Sequence, residues 1–96
     1  MFFIIKIDTM DRFTKEIKVG KENMIFEFTR MQNMNGVKFF ITSKDANQKP
    51  IAFSVRQTGE GNWTLMPGAL RWLYDIEDEL SNAVIDTRLH WLLHKD

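Results

Sequence analysis

At Pro67 the spacing of apolar residues along this chain changes. Up to about Met66 they recur at every second position, and beyond it at every third and fourth. Side chains alternate between the two faces of a strand and return to one face of a helix every 3.6 residues, so a sheet precedes a helix. Segments near 2–8, 13–19, 24–31, 37–43, 50–57 and 62–66 are rich in Phe, Ile, Val and Thr and read as strands. In the clearest of them, Val37, Phe39 and Ile41 alternate with Lys38, Phe40 and Thr42, while Ile51, Phe53 and Val55 alternate with Ala52, Ser54 and Arg56. Such a pattern buries one face and wets the other. Asn35-Gly36, the polar stretch KDANQKP and the TGEG stretch supply turns, so consecutive strands pair as antiparallel hairpins. Pro50 has no N–H to give to a ladder and belongs at a strand start.

Beyond the change, Leu70, Leu73, Ile76, Leu80, Ala83 and Val84 form one apolar stripe, and Pro67 suits a first helical turn. Asp75, Glu77, Asp78 and Glu79 fall off that stripe, where solvated carboxylates need no partner. The expected fold is α+β: an antiparallel meander of five to six strands with a C-terminal amphipathic helix on one face. Residues 1–96 make a single domain, with the sheet in 1–66, the helix in 67–94, and room for a break near Asp86.

A chain of this length buries about 60–65% of its extended surface, which leaves little margin and favours a partner subunit. It has no cysteine, so disulfides and thiol chemistry are excluded. The opening MFFIIKID is short, is interrupted by Lys6 and lacks a cleavage pattern, so it reads as a strand and not as an export signal. A cytoplasmic protein without membrane association is the expectation. Net charge is zero, but residues 1–66 carry ten Lys or Arg against seven Asp or Glu, and residues 67–96 carry three against six.

Enzymatic chemistry finds no support. An acid–base pair of carboxylates needs a pocket that separates their pKa values, and an exposed helical face offers none. No nucleophile–base pair is evident, and neither Gly-rich stretch has the form of a phosphate loop. Asp86, His90 and His94 stand four apart, yet a zinc helix of the protease type needs a Glu after its first His, and no distant ligand completes the set. We therefore expect no metal and no cofactor.

Two surfaces remain. If Val37, Phe39 and Ile41 face inward, Lys38 and Phe40 face outward with Arg56, and Lys18 and Arg30 join them if the register allows. An aromatic ring among cations on a sheet is a common way to hold single-stranded nucleic acid. On the helical side, Trp72, Tyr74 and Trp91 exceed what one inner stripe can take, and such residues dominate protein interfaces.

The run WTLMPGALRWLYDIEDELSNAVI, with Leu65, Pro67, Leu73, Ile76 and Ala83-Val84-Ile85 at these spacings, resembles the whirly-type single-stranded-DNA-binding transcriptional coactivators over roughly residues 15–85. The resemblance implies a curved antiparallel sheet ahead of a helix entered through a Leu-x-Pro step, with helices that mediate homodimerisation and sheets that bind the strand. The site residues above rest on the alternation alone. The sequence thus predicts a non-enzymatic interaction domain that self-associates through its C-terminal helix, most simply as a homodimer, or that engages a protein partner. The alternative is a single-stranded nucleic-acid-binding protein using the outer face of the sheet.

Overall fold

Alternating burial governs the first half of the computed structural model, which describes residues 12–34 and 36–93. Five strands, β1 (Arg12–Val19), β2 (Glu22–Asn33), β3 (Gly36–Lys44), β4 (Pro50–Gln57) and β5 (Trp63–Leu65), form one sheet in sequential order. Every neighbouring pair is antiparallel, which makes the meander that the turns imply. The expected strand near 2–8 lies outside the described residues.

The sheet curls into a half-barrel, and its hollow side carries the core. Met24, Phe26 and Phe28 from β2 meet Phe39 and Ile41 from β3, Phe53 and Val55 from β4, and Trp63 and Leu65 from β5. Their aromatic rings meet in preferred geometries. Phe13 stacks on Phe28 with centroids 4.5 Å apart, and Phe39 meets Trp63 edge-on at 5.1 Å. Each such pair adds about 0.5–1.5 kcal/mol beyond the area it buries.

The helical part differs from the sequence expectation at its start. Pro67 is not in a helical first turn; Pro67-Gly68 makes a turn, with Gly68 at φ 97°. Proline before a residue of positive φ is the chemistry of a type II turn, and glycine tolerates that φ without strain. Helical structure begins as a 3-10 segment, Arg71–Ile76, and continues as α1, Glu77–Leu93, which runs through Asp86 without a break. Leu73, Ile76, Leu80, Ala83 and Val84 are buried against the sheet. Leu70 departs from the predicted stripe: it precedes the 3-10 segment in extended conformation and is 48% exposed.

The helix also closes the edge of β5. The Trp63 N–H donates to Ser81 Oγ at 3.0 Å, and the Leu65 N–H donates to Glu77 Oε2 at 2.9 Å. Thr64 Oγ1 donates to the same carboxylate oxygen at 2.8 Å. Four helical residues advance about 6 Å and two strand residues about 6.6 Å, so side chains four apart can serve N–H groups two apart. Glu77 is therefore not the unpartnered, solvated carboxylate that the helical period suggests.

Candidate functional site

Register decides what the convex face presents. Residues directly opposite on antiparallel strands share a face. Met31, Lys38, Arg56 and Thr64 accordingly form one outward row across β2 to β5. Arg12, Thr29, Phe40 and Ser54 form the next row, across β1 to β4. Thr14, Glu27, Thr42 and Ala52 form the third. Phe40 is 38% exposed, a large apolar ring left in water on the side away from the helix. Lys38 stands two residues along the same strand, about 7 Å away, and Arg56 lies directly opposite Lys38.

Not every predicted site residue belongs to this group. Lys18 faces outward but pairs with Asn23 at the far end of β1, roughly 20 Å along the strand from the Phe40 row. Arg30 is on the other face. It pairs with Phe39 and shares the parity of Phe26 and Phe28, and its guanidinium donates to Gln32 Oε1 at 3.0 Å. The register therefore excludes Arg30 from the outward cluster.

Arg12 and Met31 are on this face and were not singled out in the sequence, whereas Glu16 and Glu27 are the carboxylates that the sequence places among the basic residues of the sheet. Arg12 lies one position before the segment in which strand alternation becomes readable, so its parity with Thr14 and Glu16 was the available signal. Met31 and Glu27 share the odd parity of Ile25 and Thr29 on β2.

On the helical side, Tyr74 is 48% exposed, while Trp72 is half-buried against the core. Both line a shallow depression with Arg71 and Asp75. The Trp91 side chain lies outside the described residues, as do the His90 side chain and all of His94. Asp86 is exposed. Among the described residues, no three His, Cys, Asp or Glu side chains come together in a metal-binding arrangement. No helix among them is long and apolar enough to cross a membrane.

Chemically, the convex face offers a stacking surface and fixed positive charge, with the hydroxyls of Thr29 and Ser54 in the Phe40 row. Comparison of the chain with protein-family models, curated proteins and solved structures finds no match.

Proposed function

We propose that this chain is a non-enzymatic binding module whose convex sheet face takes single-stranded nucleic acid. The observation that carries the reading is the cross-strand pair Lys38 and Arg56 beside the exposed ring of Phe40. Like charges placed directly opposite on a sheet destabilise it slightly. A phosphate between them relieves that repulsion, and a base stacks on the adjacent ring without regard to its identity. The resemblance over residues 15–85 points in the same direction.

Anisotropy of a labelled oligo-dT at about 50 mM salt tests the proposal, since the phosphate contribution is strongest at low salt. Binding is expected to weaken steeply as salt rises. Phe40→Ala is expected to cost about 1–3 kcal/mol through lost stacking. Lys38→Ala should instead lower the salt slope by about 0.7, the share of one phosphate contact on a single strand. An absence of binding at tens of micromolar protein would defeat the reading.

A second reading, self-association through the helical end, is favoured by one observation. Tyr74, 48% exposed, shares a shallow depression with Trp72, Arg71 and Asp75, and Leu70, also 48% exposed, directly precedes that segment. We rank it second because the apolar stripe of α1 from Leu80 to Val84 is already consumed by the chain's own sheet.

A further inference from the structure

We infer that the convex face takes only a short stretch of strand, about three phosphates long, and that Glu27 sets its limit. The inference rests on the proposed nucleic-acid reading and adds a footprint and a boundary to it. Three cations face outward in the first two rows: Lys38 and Arg56 in one, Arg12 in the other. They span β1 to β4, about 14 Å across the sheet at the usual strand spacing. Phe40 lies between them on β3, and Met31, 45% exposed, extends the apolar surface beside Lys38.

The positive field is interrupted at the third row. Its one charged member is Glu27, opposite Thr42 and diagonal to Phe40, about 7–8 Å from it. The row beyond holds Glu16 opposite the exposed Ile25, and Lys44, on the same face of β3 opposite Pro50, so its two charges cancel. A strand that continued from Phe40 toward Ile25 would carry its phosphates past Glu27 and then Glu16. Glu27 therefore opposes contact directly after the Phe40 row, and the row beyond, with Glu16 and Lys44, adds no net positive charge to offset it. A strand running across the sheet, from Arg56 over Phe40 toward Arg12, avoids both carboxylates and meets all three cations.

The footprint has measurable consequences. Three neutralised phosphates on a single strand give a slope of log affinity against log salt of about −2. Affinity should rise with oligo-dT length up to about 4–6 nucleotides, and then only by the statistical gain of extra registers. Removing the Glu27 charge while keeping its shape, Glu27→Gln, should tighten binding about two- to threefold at low salt, the effect of one charge at about 8 Å in water. Glu16→Gln, two rows from Phe40, should leave affinity unchanged.

Anisotropy across a series of oligo-dT lengths, with wild type, E27Q and E16Q, makes the test. A plateau at short length, a slope near −2 and tightening by E27Q alone support the inference. Affinity that keeps climbing with length, a slope steeper than about −3, or no response to E27Q overturns it while leaving the nucleic-acid reading intact. No binding at any length removes the underlying reading as well.

Discussion

Glu77 and Ser81 show how much one side chain can do at a strand edge. An N–H left without an acceptor on a part-buried edge costs about 1–3 kcal/mol, and a charged acceptor contributes toward the upper end of that range. Ser81→Ala should therefore lower unfolding free energy by about 1–3 kcal/mol, because the Trp63 N–H then faces the helix with no acceptor. Glu77→Ala should cost a similar amount, since Leu65 N–H and Thr64 Oγ1 both lose it. Urea denaturation of the single variants and the double variant checks this; losses within about 0.3 kcal/mol would mean that water replaces both side chains. Neither role was legible beforehand. A helical period says which residues face apolar surface, and it places Glu77 off the stripe correctly. It carries no information about a strand edge lying alongside that flank.

At the scale of elements, the order of the strands and the switch to helix were readable because burial imposes period 2 on the sheet and 3.6 on the helix. The start of the helix departs from the sequence expectation. Pro67 suits a helical first turn in isolation, but Gly68 directly after it makes a turn with positive φ, and helical structure waits until Arg71. Gly68→Ala tests the point with little ambiguity, because an added Cβ meets nothing within 4 Å. The cost is then conformational alone, about 1–2 kcal/mol, read as a shift in the denaturation midpoint with unchanged slope. No loss of stability would show that the turn relaxes into another conformation. The site was legible to a similar degree. Lys38, Phe40 and Arg56 follow from the alternation on β3 and β4. Arg30 needed knowledge that β2 runs from Glu22 to Asn33 in unbroken register, since a single bulge would have turned it outward.

For the whole molecule, the convex sheet face and the patch around Tyr74 make different demands on mass in solution. If the second reading holds, light scattering at about 100 µM gives twice the 11.4 kDa of one chain, and Tyr74→Arg returns it to the monomer value by placing an unmatched charge in the contact. A monomer mass for the wild type at that concentration counts heavily against self-association. Sequential strand order also means that each sheet contact joins neighbours in the chain, which favours rapid assembly. The closure of β5 differs in that its acceptors belong to the helix, 12 and 18 residues downstream, and not to the next strand. At a synthesis rate of about 5–20 residues per second, the stretch from Leu65 to Ser81 takes about 1–3 s to appear. For that interval the nascent sheet has a bare edge at β5, an edge that pairing with another strand can reach only until Glu77 and Ser81 arrive to cover it.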